Sequence, residues 1–207
     1  MEEEMEKKRF GVLLCAEDSE LVRKKYGGYF GVFVRMLAEE GERWDVYRVA
    51  RGEFPDDDEL ALYNGFVITG SCNDAHGNDP WIHQLLNLLQ KLNSINKKVL
   101  GICFGHQILG RALGGKVCRS PSGWDIEVIA WSEKTGIEMF RYGDHIMGIQ
   151  GHPEYTKDIL FHLIDRLTQH NYIHQDFAME SRLKVAMWEP DKDSWKRICV
   201  SFLKGPL

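Results

Sequence analysis

The fold class this sequence predicts is α/β, a mostly parallel open sheet flanked by helices, and three observations predict it. Short apolar runs alternate with longer stretches whose apolar residues recur at helical spacing, the order expected of strands joined by crossover helices. The strand candidates are apolar almost throughout, as strands buried on both faces are. One of them, residues 98–102, runs directly into Gly-Ile-Cys-Phe-Gly, the pattern of a sharp strand-to-helix turn.

The elements follow in order. Residues 10–16 (FGVLLCA) form the first strand candidate. Residues 29–40 read as a helix with Phe30, Phe33, Val34 and Leu37 on one side, and Gly41 stands where a helix stop is expected. Residues 44–49 are a second strand, and the charge run over 53–59 is a solvated surface loop. Residues 66–69 make a third strand ending in Gly70, Ser71 and a polar loop. Ile82, Leu85, Leu86 and Leu89 give residues 81–92 a helical period. Strand 98–102 is followed by a helix over 104–113, stopped by Gly114 and Gly115. Residues 126–131, 137–140 and 146–150 are further strands; the remainder reads as helical, most clearly 158–169 and 194–203. No repeat or low-complexity linker divides the chain, and 207 residues at 43% hydrophobic can build one core, so a single domain over 1–207 is expected.

Composition removes several function classes. The formal net charge is −5 and no basic stripe appears, so nucleic acid is not an expected partner. The start, MEEEMEKKRF, lacks the apolar stretch of a secretory signal. No apolar run approaches the ~20 residues needed to cross a bilayer, so no membrane partner is expected. Cys15, Cys72, Cys103, Cys118 and Cys199 are odd in number, scattered and without a CxxC pair. Neither a zinc site nor a disulfide framework is favoured, no cofactor is expected, and reduced thiols fit the cytosol.

Chemistry concentrates at Cys103. A nucleophile at a sharp turn sits in a strained backbone, and Gly101 and Gly105 let strand and helix approach closely around it. The turn brings the sulfur to the start of a helix, where the dipole favours an anion, and aims the Phe104 N–H at a developing oxyanion. Downstream stands Gly148-Ile-Gln-Gly-His-Pro-Glu154. In an extended segment His152 and Glu154 share a face, with Pro153 holding the pair extended. A thiol needs a base, and the base needs a carboxylate to fix its tautomer. Gly70, at the carboxyl end of the third strand, is a candidate for the second oxyanion N–H. Cys15 reads as core packing and Cys72 as a residue without a role. His76, His83, His145, His162, His170 and His174 show no metal spacing, and Trp81, Trp124, Trp188 and Trp195 are expected to pack.

Together, GICFGHQ at 101–107 and HPE at 152–154 resemble the signature of the class I glutamine amidotransferase superfamily, with its flavodoxin-like layering. AEDSE from Ala16, KYGGYFGVF from Lys25, EEGERWDVYRV from Glu39, GFVITGSCNDAHGNDPWI from Gly65, PSGWDI from Pro121 and FLKG from Phe202 extend the resemblance to plant γ-glutamyl peptidases of glutathione-conjugate processing. The resemblance implies a cysteine hydrolase that cleaves the γ-glutamyl amide of a small peptide or glutathione conjugate and releases glutamate, as in glucosinolate and camalexin biosynthesis. It implies Cys103 as nucleophile, His152 as base and Glu154 as its orienter. Gly70 and Phe104 N–H groups would hold the oxyanion, and Gln107 would grip the glutamyl moiety.

One departure stands out. Cys103 and His152 are 49 positions apart, whereas the family places several more strands between them, on the order of forty further residues. The junction falls between Ile126 and Glu127, so strands are expected to be missing there, with sheet edges and apolar faces left uncovered. Either a peptidase has been shortened, as by splicing or a gene-model difference, or the fold closes differently around the gap. In the first case the mutual geometry of the site residues is in question and turnover is expected to be weak or absent, because a 1 Å misplacement costs about a hundredfold in rate. Two rival readings are a glutaminase subunit feeding ammonia to a partner synthase, and a non-catalytic member of the fold with Cys103 as a redox sensor.

Overall fold

The computed structural model describes residues 7–115, 126–133 and 135–205. Among these residues seven strands join one sheet: β1 (Arg9–Leu13), β2 (Arg43–Tyr47), β3 (Gly65–Ile68), β4 (Lys98–Ile102), β5 (Ile126–Ser132), β6 (Gly136–Tyr142) and β7 (Ile146–Ile149). Their spatial order is β2-β1-β3-β4-β7-β6-β5. The first five in that order run parallel, and β6 and β5 continue the sheet antiparallel to its far edge. The predicted α/β class is observed.

Among the described residues seven α-helices accompany the sheet: α1 (Glu20–Tyr26), α2 (Gly28–Leu37), α3 (Pro80–Ser94), α4 (Phe104–Ala112), α5 (Lys157–Gln169), α6 (Gln175–Met187) and α7 (Lys192–Lys204). Strand residues alternate between two cores, as a period of two requires. Leu13, Phe66, Ile68 and Val99 face α3 and α4, meeting Ile82, Leu85, Leu89 and Ile108. Val12, Val67, Leu100 and Ile102 face the other way, onto Phe33 and Leu37 of α2 and Cys199, Val200 and Leu203 of α7. A smaller cluster of Val22, Val32 and Ile159 joins α1, α2 and α5 beside Tyr29 and Tyr155. No helix among the described residues is long and apolar enough to cross a membrane.

Two sequence expectations shift. Helix α1 was not anticipated; Ser19 caps it, its side chain accepting from the Val22 N–H, and Gly27 ends it in the left-handed conformation at φ 78°. The stretch predicted as an acidic loop is partly a 3₁₀ helix, Asp57–Leu62, with Leu60 turned inward. The sheet ends at β5, where Val128, Ile129 and Trp131 are exposed, Trp131 by 63%. Such an uncovered apolar edge is what the missing strands predict.

Candidate active site

Strand β4 stops at Ile102 and α4 starts at Phe104, so Cys103 alone makes the turn, at φ 53° and ψ −102°. A non-glycine residue held there costs about 1–3 kcal/mol, which the surroundings must offset. The Cys103 N–H donates to the Ile149 carbonyl of β7 at 2.8 Å, and its carbonyl accepts from the Gln107 N–H at 3.1 Å. The flanking glycines are required for close approach. A Cβ on Gly101 would lie 2.5 Å from Leu109 Cδ1, and one on Gly105 would lie 2.5 Å from the Ile68 carbonyl oxygen. The steric reading of Gly101 and Gly105 therefore holds.

Histidine and glutamate meet by a different route from the one expected. Strand β7 ends at Ile149, too early for period-two alternation to pair them. Instead the chain turns over residues 152–155, with the Tyr155 N–H donating to the His152 carbonyl at 3.3 Å. His152 Nδ1 then lies 2.8 Å from Glu154 Oε1, and the Glu154 side chain is almost fully buried. Burial by itself lowers the His152 pKa, but hydrogen bonds to Cys103 and Glu154 and the charges of both outweigh it, pushing His152 up to about 9. The arrangement favours an imidazolium between a sulfur and a carboxylate.

The ring of His152 is held in a slot. Tyr155 stacks on one face, 4.0 Å between centroids at 7°. Gly70, just past β3, lies so close that a Cβ there would come within 2.6 Å of His152 Cε1. Burial pushes the Tyr155 phenol well above its ordinary range, with the neighbouring Tyr29 and Glu154 adding to the rise. Gln107 Nε2 donates to Gln150 Oε1 at 3.2 Å, and Gln150 Nε2 approaches Cys103 Sγ at 3.7 Å. Phe104 is buried and stacks on Trp81.

All six predicted site residues therefore lie at the carboxyl ends of β3, β4 and β7 or at the start of α4. Gln150 and Tyr155 were not singled out from the sequence. Gln150 precedes His152 by two positions, a spacing that puts strand residues on one face, and Tyr155 directly follows the His-Pro-Glu tripeptide.

The short interval does not separate the pair. Strands β4 and β7 are direct parallel neighbours, with Ile102 opposite Ile149. The separation of Cys103 from the His152 turn is thus set by an inter-strand spacing of about 4.8 Å, whatever length lies between α4 and β5. The geometric doubt raised by the spacing moves away from the thiol and its base, to whatever covers them.

Elsewhere, Cys15 and Cys199 are buried, and burial raises both thiols, Cys199 to about 12. Cys72 is exposed. His145 bonds Asn93. Trp81 and Trp195 pack as expected, but Trp188 is 73% exposed, because it follows the end of α6 and no core element reaches it. Cys118 and Trp124 lie outside the described residues.

Known proteins fit this geometry. A family model described as glutamine amidotransferase class-I matches residues 22–124, a span that includes the elbow and ends before His152. γ-Glutamyl peptidase 5 of Arabidopsis thaliana is 44% identical over an alignment of 243 positions covering 97% of each chain. γ-Glutamyl peptidase 3 of the same plant is 41% identical, covering 97% of this chain and 98% of its own. An alignment of 243 positions against a chain of 207 leaves at least 36 positions of that relative without a counterpart here. Among solved structures, a glutamine amidotransferase from Thermotoga maritima superposes with a TM-score of 0.63 at 16% identity, covering 95% of this chain and 98% of its own. On the near full-length identity to these relatives, the chain belongs to the class I glutamine amidotransferase family.

Proposed function

We propose that this chain is a cysteine-dependent hydrolase of γ-glutamyl amide bonds, acting on small γ-glutamyl peptides of the glutathione-conjugate type. The observation that carries the reading is the His152–Glu154 contact of 2.8 Å beside a sulfur held at a strained strand-to-helix turn. With Nδ1 tied to the carboxylate, the imidazole is free to exchange a proton with Cys103. Cys103 would attack the γ-carbonyl while His152 takes the thiol proton and delivers it to the leaving amine, so that glutamate is held as a thioester and water then releases it. The N–H groups of Phe104 and Gly70 would stabilise the oxyanion, and Gln107 would hold the glutamyl group. The names of the 41–44% identical relatives support the γ-glutamyl specificity.

At least 36 positions of γ-glutamyl peptidase 5 have no counterpart here, and where these serve to wall the pocket, positioning of substrate would be where rate is lost. Turnover is expected at least about a hundredfold below the ~10 s⁻¹ common among enzymes. Mass spectrometry of products from a glutathione S-conjugate tests both parts. Slow release of glutamate and the cysteinylglycine conjugate, abolished by Cys103→Ala and by His152→Ala, is the expected result. Brisk Cys103-dependent release refutes the slow turnover, and release that survives Cys103→Ala refutes the mechanism. Faster hydrolysis of free glutamine than of a γ-glutamyl dipeptide would instead favour the glutaminase reading.

A further inference from the structure

The reacting sulfur has a polar neighbour that the three-residue arrangement leaves out. Gln150 follows β7 directly, and its backbone is pinned by donation of its N–H to the Glu138 carbonyl of β6 at 2.7 Å. Its side chain spans Gln107 and Cys103: Oε1 accepts from Gln107 Nε2 at 3.2 Å, and Nε2 points to Cys103 Sγ at 3.7 Å. A carboxamide has one donor end and one acceptor end. The bond from Gln107 occupies the acceptor end, which leaves the donor end for the sulfur. The sulfur is the acceptor in this contact, and a thiolate accepts more strongly than a thiol.

Resting on the hydrolase reading, we propose that Gln150 is a further catalytic residue, whose side-chain N–H donates to the Cys103 thiolate and which Gln107 holds in the orientation that makes this possible. The same bridge couples the sulfur to the residue expected to grip the glutamyl group. A substrate seated on Gln107 thereby meets a thiolate whose orientation is already set.

Other groups also bear on Cys103: His152 from the turn after β7, Glu154 behind it with Cys199 of α7 nearby, and the Tyr155–Tyr29 pair on the far face of the imidazole. His152 supplies the charge, and Gln150 is the neutral donor on the sulfur. Loss of Gln150 should therefore slow reactions of the sulfur while leaving the charge of His152 in place.

The test is alkylation of the full chain by iodoacetamide, read by peptide mass spectrometry at Cys103 so that exposed Cys72 does not interfere. Gln150→Leu is expected to slow alkylation at pH 6 about tenfold. Gln150→Glu should be slower still at pH 6, because a carboxylate faces the sulfur. Equal rates at pH 6 overturn the proposal, and so does an equal loss in Gln150→Leu and Gln150→Glu, which would mark a purely structural role. If a melt followed by circular dichroism shows Gln150→Leu unfolded, Gln107→Leu takes its place. It removes the orienting bond and should slow alkylation at pH 6 about threefold, and an unchanged rate overturns the proposal. Alkylation needs no γ-glutamyl substrate. A chain that alkylates as expected but releases no glutamate loses the hydrolase reading and leaves Gln150 only as a donor to the sulfur; one that releases glutamate but alkylates unchanged in Gln150→Leu keeps the hydrolase reading and loses this one.

Discussion

Substituting Gly70 by alanine should unseat His152 without unfolding the chain. The backbone at Gly70 is not in the left-handed region, so alanine is conformationally acceptable there and only the added methyl matters. That methyl would stand 2.6 Å from His152 Cε1 and 3.5 Å from both ring nitrogens. Ordinary carbon–carbon contact needs about 3.5–4.0 Å, so the ring must retreat by roughly 1 Å. It has little room for this, because Tyr155 lies 4.0 Å behind it and Glu154 holds Nδ1. A retreat of that size lengthens the hydrogen bonds to Cys103 and Glu154 that raise the imidazole, while its burial persists. A lost charge-assisted bond of about 1.5–3 kcal/mol corresponds to about one to two pH units. The ¹H NMR titration of the His152 Cε1 proton should accordingly move from a midpoint of about 9 down by that amount in Gly70→Ala, with hydrolysis falling about a hundredfold further. A midpoint that stays put, in a variant whose melting temperature is unchanged, would show that the slot does not position the ring.

Further outcomes follow from other contacts. Tyr155→Leu should lower the His152 midpoint and slow Cys103 alkylation, whereas Tyr155→Phe, which keeps the stacked face, should stay near the parent; equal behaviour of the two would exclude stacking as the cause. Lys204, 3% exposed, is held by the Leu37 carbonyl and by Glu42, whose own side chain is 5% exposed. Lys204→Met should cost about 3–5 kcal/mol at pH 7, read as a drop of roughly 10 °C in melting temperature. Burial raises the Glu42 pKa but the bonds from Lys204, the Glu39 N–H and Trp44 lower it more, for a net depression. A depressed carboxylate stabilises above its unfolded value of about 4.3 and loses that contribution as pH falls through the folded value, so the cost of Lys204→Met should shrink below pH 4. At the sheet edge, Ile129→Lys with Trp131→Lys should reduce self-association in dynamic light scattering without lowering the melting temperature; increased aggregation would mean that the edge is not the sticky surface.

The elements best read from the sequence were those in which local pattern and tertiary role agree. Lys98–Ile102 was placed to the residue, because an apolar strand bounded by lysines and a Gly-x-Cys-x-Gly turn admits few alternatives. Helix α3 was legible from its apolar stripe, and Pro80 at its first turn accounts for its early start. Helix α1 escaped notice because only Val22 of its seven residues is buried, leaving little periodicity to detect. At the site, residue types in a known chemical pattern were enough to select Cys103, His152 and Glu154. Gln150 and Tyr155 stayed hidden because their nearness to the tripeptide in sequence does not show their contacts, which depend on the turn at residues 152–155 and on strand order. The 49-position interval says little by itself about how near Cys103 and His152 lie, because β4 and β7 become neighbours in the sheet.

Neighbouring attachment has a practical corollary. The sulfur hangs from one strand and the imidazole from the turn after the next, so the scaffold fixes reactivity through backbone ladder bonds such as Cys103 N–H to Ile149 O. The segment leaving α4 and returning at β5 is then a cassette, open to trimming, lengthening or exchange without retuning the nucleophile. In such a design the choice of substrate and the power of the chemistry can be engineered on separate parts of the chain.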